Sequence, residues 1–217
     1  VQALGADAII IRHPSSGAPY VLARHLNVPI INAGDGMHAH PSQALLDAVT
    51  MLDHFRTLKG LRVLITGDIL HSRVARSNVQ LLTKFGAKVT LCGPKSLLPE
   101  LAEKLAPGLK LVRDFDEALR GTEVIMMLRV QKERQRVQYF PSVREYSHQW
   151  GLSAARVATL PERALIMHPG PMNRGVEIAA EVADSDRSTI VAQVANGVTV
   201  RMAVLYLMLG GATEEAA

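Results

Sequence analysis

Short apolar runs alternate with segments of helical periodicity along most of the chain, and this alternation constrains the fold more than any other feature. The apolar runs have strand length and are rich in β-branched residues; they are Ala8–Ile11, Pro29–Asn32, Arg62–Thr66, Lys88–Leu91, Val124–Leu128 and Ala164–Met167. The segments of helical periodicity between them are Ala18–Leu26, Gln43–Phe55, Arg76–Phe85, Pro99–Ala106 and Asp116–Leu119. This order predicts an α/β protein with parallel sheets covered by helices.

The composition narrows the class of protein. A chain of 217 residues has room for one full domain and part of another. The single cysteine, Cys92, excludes a disulfide within the chain and favours a reducing, cytoplasmic compartment. A net charge of +4, without a basic stripe interleaved with aromatic residues, argues against nucleic acid as a partner. The longest apolar run, Met202–Leu209, is shorter than a membrane span, so no membrane partner is expected.

The two ends of the chain give further expectations. Val1–Gly5 has the pattern of a helix end and is followed at once by a strand, so we expect the first sheet to be incomplete in this chain. The last helix, predicted over Val198–Leu209, is apolar on nearly every face and is therefore expected to be buried. The helix Gln43–Phe55 is long enough to bridge two domains.

Polar loops rich in proline and glycine follow the predicted strand ends. They are Arg12–Pro14, Asp35–Gln43, Gly67–Arg73, Arg129–Arg134 and His168–Pro171. In open α/β sheets, ligands bind beyond the carboxyl ends of the strands. The arginines and the histidine in these loops therefore predict a crevice for small anions.

Two other kinds of site have weaker support. His38 and His40 have acidic neighbours, but the usual zinc spacing and a clear third ligand are absent. Gly67–Asp68 follows a strand, yet neither of the common glycine patterns for nucleotides is present, and the bulky Ile69–His71 would block a pyrophosphate. No metal and no organic cofactor are implied.

Six segments, in order along the chain, resemble motifs of the aspartate carbamoyltransferase family. They are IRHP (Ile11–Pro14), DGMHAHPSQALLD (Asp35–Asp47), GDILHSRVARSN (Gly67–Asn78), LRVQKER (Leu128–Arg134), MHPGPMNRGVEI (Met167–Ile178) and QVANGVTVRMAVLYL (Gln193–Leu207). The resemblance implies two doubly wound parallel-sheet domains, the transcarbamoylase fold. It also implies transfer of a carbamoyl group from carbamoyl phosphate to L-aspartate, a step of de novo pyrimidine (UMP) biosynthesis.

The resemblance assigns the first substrate to residues of the early loops and of the last one. Arg12 and His40 match the residues that contact the carbonyl and phosphate of carbamoyl phosphate, and Gln43 matches the residue that accepts from its amino group. Gly170 and Pro171 match the loop whose backbone meets the substrates, and the resemblance implies a cis peptide bond between them. Donors aimed at the carbonyl oxygen lower the barrier to attack on it.

The second substrate is a dicarboxylate, and the resemblance assigns it to arginines. Arg73 matches the residue that binds the α-carboxylate of aspartate, whereas Arg129 and Gln131 match those that bind its side-chain carboxylate. Glu133 matches the residue that orients Arg129 by a salt bridge. Guanidinium groups bind carboxylates with two parallel hydrogen bonds, which makes the assignment chemically reasonable.

Domain boundaries and partners are also expectations from the resemblance. Residues 1–40 and 193–217 are expected in the carbamoyl phosphate-binding domain, and residues 41–192 in the aspartate-binding domain. A homotrimer with shared active sites is expected, with regulatory or dihydroorotase chains as further partners.

The chain departs from the family pattern in the phosphate loop. The family's Ser-Thr-Arg-Thr sequence is absent, and Ser185–Thr189 lies in a different context. The Ser- and Lys-bearing loop that a neighbouring subunit contributes in the family is also absent. The sequence therefore predicts that this chain alone is inactive. Open alternatives are a non-catalytic or truncated relative that acts as a structural partner, and a transcarbamoylase for another amino acid such as ornithine.

Overall fold

The computed structural model describes residues 2–130 and 139–210, and it contains two separate parallel sheets. The smaller sheet pairs β1 (Ile9–His13) with β2 (Ile30–Asp35). The larger sheet has the strand order β5–β4–β3–β6–β7. Its strands are β3 (Arg62–Thr66), β4 (Lys88–Cys92), β5 (Lys110–Val112), β6 (Val124–Met127) and β7 (Leu165–Met167). All the ladders are parallel, which confirms the α/β class.

Eight α-helices lie in the described residues and connect or cover the strands. They are α1 (Ala18–His25), α2 (Pro41–Phe55), α3 (Arg73–Lys84), α4 (Phe115–Leu119), α5 (Val143–Trp150), α6 (Ala154–Val157), α7 (Ala180–Ala183) and α8 (Ile190–Met208). The predicted helix Pro99–Ala106 is instead a 3-10 helix over Glu100–Leu105. The strand β5 was not predicted, because it is three residues long and lies at the sheet edge.

The core lies on both faces of the larger sheet. Alternate residues of β3 point to opposite faces, as the strand geometry requires. Val63 and Ile65 pack with residues of α2 and α3, whereas Leu64 packs with residues of α4 and α7. Leu64 and Ile65 are fully buried. Each buried side chain of this size contributes about 1.5–3 kcal/mol to folding.

The helix α2 connects the two halves of the fold. It begins just after the loop that follows β2, and it packs against α3 and α8. Met51 and Ala48 join the apolar core, whereas Gln43, Asp47 and Thr50 place polar side chains in the buried interface. The start of α2 is thereby held between the two sheets, where it can contribute to a site.

The helix α8 is longer and more exposed than the sequence predicted. It begins at Ile190, eight residues before the predicted start, and it buries Gln193, Gly197 and Val200. Its outer face carries apolar side chains that are exposed, among them Val191, Val194, Val198, Met202 and Tyr206. The prediction that this helix is buried is therefore wrong for the described chain. By length and composition alone α8 would suffice to cross a membrane, but its polar side chains make the contacts of a packed helix with α2.

Candidate active site

A polar cavity of about 430 Å³ lies where the two sheets meet, at the carboxyl ends of their strands. It is lined by the predicted residues Arg12, His40, Gln43, Arg73, Arg129, Gly170 and Pro171. They come from β1, from the starts of α2 and α3, and from the loops after β6 and β7. Gln131 and Glu133 lie outside the described residues, so their predicted roles stay predictions.

A second cavity of about 310 Å³ has a different character. Its lining includes Tyr20, Ile30, Leu45, Val204 and Met208, and none of the described residues that line it is charged. Anionic substrates need charge-assisted hydrogen bonds, which this lining cannot supply. The polar cavity supplies such groups and contains the predicted residues, and it is the candidate active site.

Arg12 enters the site from an irregular part of β1. Ile11 pairs with Asn32 but His13 pairs with Asp35, so β2 has one extra residue opposite Arg12. Bulges re-aim side chains, and they are common beside functional sites. Beside this irregularity, Arg12 lines the cavity together with His40 at the start of α2.

Arg73 is the first residue of α3 and is buried. Its helix is capped by Ser72, whose hydroxyl accepts from the amide of Ala75 at 3.0 Å. The guanidinium crosses to the smaller sheet, where Nη1 donates to the Gly36 carbonyl at 3.4 Å. Gly34 makes room for it: a Cβ there would lie 2.7 Å from Arg73 Cζ, and its φ of +116° suits glycine. The sequence gives Gly34 no role, because its contact with Arg73 joins β2 to the start of α3.

His40 is the residue at the N-cap position of α2, but its side chain does not cap the helix. Its backbone amide donates to Ser77 Oγ at 2.9 Å, which fixes the helix start against α3. Burial, together with the positive charges of Arg73, Arg12 and Arg201, lowers the pKa of His40 to about 4. The imidazole is therefore neutral at pH 7 and offers one N–H donor to the cavity.

Arg201 is a cavity residue that the sequence did not single out. It is the one charged residue of α8, which is otherwise apolar or neutral from Ile190 to Met208. A single charged residue in an otherwise neutral helix could have indicated from the sequence that Arg201 belongs to the site. Its position adds a third guanidinium beside His40, together with Arg12 and Arg73.

His38 lies two residues before His40 and has a different partner. Its Nδ1 is 3.0 Å from the Asp35 carboxylate, and about half of its side chain is exposed. Asp35 also accepts from the amides of Gly17 and Ala39 and from the Asn32 side chain. Burial raises the pKa of Asp35, but these hydrogen bonds outweigh burial and the pKa is lowered. His38 and Asp35 therefore shape the turn before α2, and His38 does not line the cavity.

The loop after β7 wraps around a buried pair, His168 and Glu177. The His168 Nε2 and Glu177 Oε1 atoms are 3.2 Å apart, and both side chains are fully buried. His168 Nδ1 accepts from the Gly170 amide at 2.9 Å, so Nε2 carries the proton and donates to Glu177. Glu177 also accepts from the backbone and side-chain nitrogens of Asn173. The Gly170–Pro171 peptide is cis, which confirms that prediction.

The Glu177→Gln substitution is expected to destabilise this loop. The new amide nitrogen would face either the His168 N–H or the Asn173 donors, and a buried donor would lose its acceptor. The cost is about 1–3 kcal/mol of the free energy of unfolding. Urea unfolding at pH 7 measures it, with the exposed Glu162→Gln as the matched control. Equal stability of Glu177→Gln and the unsubstituted protein would contradict the role given to this pair.

Fold and site together define an α/β protein with a cationic crevice between two parallel sheets, a class that binds small anions at strand ends. The chain belongs to the aspartate/ornithine carbamoyltransferase family. The model of that family's Asp/Orn binding domain matches residues 59–208, and the model of its carbamoyl-P binding domain matches residues 1–53. The resemblance predicted from the sequence motifs is thereby confirmed.

Similar proteins in this family include aspartate carbamoyltransferase catalytic subunits. The aspartate carbamoyltransferase catalytic subunit of Salinispora tropica is 60% identical over 212 residues, which cover 97% of this chain and 69% of the relative. The corresponding subunit of Acidothermus cellulolyticus is 58% identical over 97% of this chain and 65% of the relative. The chain therefore spans about two thirds of the length of these relatives.

Solved structures share the fold at lower identity. Aspartate transcarbamoylase from Trypanosoma cruzi, in complex with N-(phosphonacetyl)-L-aspartic acid, has a TM-score of 0.81 and 28% identity, covering 94% of this chain and 67% of that one. Ornithine carbamoyltransferase from Pyrococcus furiosus has a TM-score of 0.83 and 27% identity, and the match covers 97% of this chain and 69% of that one. The fold is thus common to both branches of the family, and the choice of amino acid depends on the site.

Proposed function

We propose that the chain carries the catalytic function of an aspartate carbamoyltransferase, which transfers the carbamoyl group of carbamoyl phosphate to L-aspartate. The observation that carries the proposal is the cavity between the sheets, which Arg12, His40, Arg73 and Arg129 line together. Relatives that are 58–60% identical and are named as catalytic subunits of this enzyme support it. The products are N-carbamoyl-L-aspartate and phosphate, in the pathway to UMP.

Arg12 and His40 are suited to the carbonyl and phosphate of the first substrate. Attack of the aspartate amine on the carbonyl carbon forms a C–N bond and places negative charge on the carbonyl oxygen. A neutral imidazole N–H and a guanidinium stabilise that charge without forming a bond to the substrate. The C–O bond to phosphate then breaks, and the departing phosphate takes the amine proton. Catalysis is positioning and electrostatics, with no covalent intermediate.

Arg73 and Arg129 bind the two carboxylates of aspartate in this proposal. Arg73 is held by its contact with Gly36, so its guanidinium is pre-positioned for the α-carboxylate. Arg129 follows β6, lines the same cavity and binds the side-chain carboxylate, together with Gln131. Glu133 orients Arg129 in the same proposal.

The choice of aspartate over ornithine follows from charge. The cavity is lined by Arg12, Arg73, Arg129 and Arg201, and no Asp or Glu side chain lines it in the described part of the chain. The side-chain ammonium of ornithine would face these guanidinium groups, whereas a carboxylate pairs with them. The dicarboxylate is therefore the better amino-acid substrate.

Domain roles, assembly and location complete the proposal. Residues 1–40 and 193–217 belong to the carbamoyl phosphate-binding domain, and residues 41–192 to the aspartate-binding domain. The separation of the two sheets supports such a division, with the cavity between them. A cytoplasmic homotrimer with shared sites, joined by regulatory or dihydroorotase chains, is the proposed assembly.

The test is a comparison of two amino acids in the protein expressed from its native gene. Product formation from carbamoyl phosphate is expected with aspartate and at least a hundredfold less with ornithine, as expected where unpaired buried charges reject the wrong substrate. Parallel assays of the 217-residue chain test the expectation that this chain alone is inactive. Faster turnover of ornithine would replace the proposal with the ornithine branch, and no turnover of either would support the non-catalytic alternative.

A further inference from the structure

Asp47 is a buried carboxylate that lies behind the cavity rather than in it. It is one helical turn after Gln43 on α2, and its side chain is fully buried. Three side-chain amides donate to it. They are Gln43 Nε2 at 2.9 Å and Gln193 Nε2 at 2.8 Å, both to Oδ1, and Asn78 Nδ2 at 2.8 Å to Oδ2. These contacts connect α2, α3 and α8 through one residue.

The orientations of two of these amides are fixed by backbone groups. Gln193 Oε1 accepts from the backbone amide of His168 at 2.9 Å, and that amide can only donate. The Gln193 nitrogen must therefore face Asp47. Asn78 Nδ2 also contacts the Val74 carbonyl at 3.2 Å, and a carbonyl can only accept. Asp47 thus receives two donors whose directions are set elsewhere in the fold.

The orientation of the third amide, Gln43, follows from the charge of Asp47. An ionised carboxylate only accepts hydrogen bonds, so it selects the Gln43 nitrogen and leaves the Gln43 oxygen on the side of the cavity. Burial, opposed by hydrogen bonds from Asn78, Gln193 and Gln43, raises the pKa of Asp47 to about 6. The carboxylate is therefore ionised at pH 8, where the orientation is fixed.

We propose that Asp47 is a positioning residue that holds the Gln43 amide with its oxygen toward the cavity and, through Gln193, anchors the loop that begins at His168. The inference rests on the proposed function, in which the Gln43 oxygen accepts from the amino group of carbamoyl phosphate. In the opposite orientation the Gln43 nitrogen would face the amino group of carbamoyl phosphate, and both groups are donors. One carboxylate thereby sets both the acceptor for the carbamoyl group and the loop containing Pro171.

The test uses Asp47→Asn in the native protein, assayed at pH 8. The new amide nitrogen must face a fixed donor, either Gln193 at the Oδ1 position or Asn78 at the Oδ2 position. At the Oδ1 position it also faces Gln43, which can then turn its oxygen toward the new amide and its nitrogen toward the substrate. Because a mispaired polar group replaces a good acceptor, kcat/KM for carbamoyl phosphate is expected to fall about tenfold to a hundredfold. The KM for aspartate, at saturating carbamoyl phosphate, is expected to change less than threefold. If kcat/KM of Asp47→Asn for carbamoyl phosphate stays within twofold of that of the unsubstituted protein, the proposal is overturned.

A second variant separates orientation from stability. In the double variant Asp47→Asn with Gln43→Glu, the carboxylate at position 43 accepts from the new amide and still presents an oxygen to the substrate. It is expected to recover part of the loss and to exceed both single variants in kcat/KM. If kcat/KM is lower in the double variant than in each of the two single variants, the proposal is overturned.

Thr50→Val is the matched control for a buried polar contact between α2 and α8. Thr50 is fully buried and accepts from Asn196 Nδ2 at 3.0 Å, but it does not line the cavity. Its kcat/KM is expected to stay within threefold of the unsubstituted protein. Equal losses in Thr50→Val and Asp47→Asn would show a structural role only and overturn the proposal.

One measurement needs no variant. The side-chain amide protons of Gln43, observed by NMR in the unsubstituted protein at pH 8, are expected to exchange with solvent at least tenfold more slowly than those of an exposed glutamine such as Gln149. Equally fast exchange overturns the proposal even where Asp47→Asn does not fold. If the unsubstituted protein has no transferase activity but Gln43 exchanges slowly, the proposed function is wrong and the contact between Gln43 and Asp47 is still supported.

Discussion

Arg129→Ala is expected to lower kcat/KM for aspartate by about two to four orders of magnitude. A guanidinium makes two charge-assisted hydrogen bonds with a carboxylate, each contributing about 1.5–3 kcal/mol. Every 1.4 kcal/mol of lost binding is a factor of about ten. Arg129 lies on the cavity side of the loop after β6, so its removal leaves one carboxylate of aspartate without its main partner.

Steady-state kinetics with varied aspartate at saturating carbamoyl phosphate measures this effect. Arg120→Ala is the control, because Arg120 is an exposed residue at the end of α4. Arg129→Lys should recover little, since an ammonium does not offer the paired geometry of the guanidinium. If Arg129→Ala kept more than a tenth of the kcat/KM, its assignment to the carboxylate would be wrong.

His40→Ala is expected to reduce kcat by about a hundredfold to a thousandfold, the usual effect of removing one donor to a developing oxyanion. The imidazole is neutral because burial and three nearby guanidinium groups lower the pKa of His40 to about 4. It therefore acts as a hydrogen-bond donor across the whole range from pH 6 to pH 9, and its loss should be independent of pH there.

His38→Ala is the matched control for this prediction. The two histidines are two residues apart, but His38 pairs with Asp35 and does not line the cavity. Its replacement should change kcat less than fivefold. Rates measured at saturating concentrations of both substrates compare the two variants directly. Similar losses in both variants would mean that the turn before α2, rather than the His40 imidazole, is what the reaction requires.

The sequence predicted the location of the site because one rule covers most of it. Arg12 lies at the carboxyl end of its strand and His40, Arg73 and Arg129 follow theirs, and parallel strands bring their carboxyl ends to one edge. The structure places all four around one cavity. The limits of β3 were also predicted correctly, since a buried strand of β-branched and aliphatic residues has a clear apolar pattern.

The positioning residues could not be predicted in the same way. Asp47 and Glu177 lie within segments that resemble family motifs, but their roles depend on partners such as Gln193 and Asn78 that are far along the chain or on other elements. Gly34 in β2 leaves room for the guanidinium of Arg73, which belongs to α3. Local periodicity carries no information about such contacts.

The error on α8 has a related cause. The apolar character of α8 predicts that the helix is buried, yet burial depends on what packs against each face. In the described residues α2 covers one face of α8, and the face with Val191, Val194 and Met202 is exposed. The start of the helix was placed too late because Gln193 and Asn196 interrupt the apolar pattern. Both are polar for a reason, since they bind Asp47 and Thr50.

A crystal structure of the native protein with N-(phosphonacetyl)-L-aspartic acid would show whether one cavity holds both substrates. We expect the phosphonate within hydrogen-bond distance of Arg12 and His40, and the two carboxylates on Arg73 and Arg129. Density for the compound elsewhere, or in the cavity with its carboxylates away from both arginines, would contradict the account.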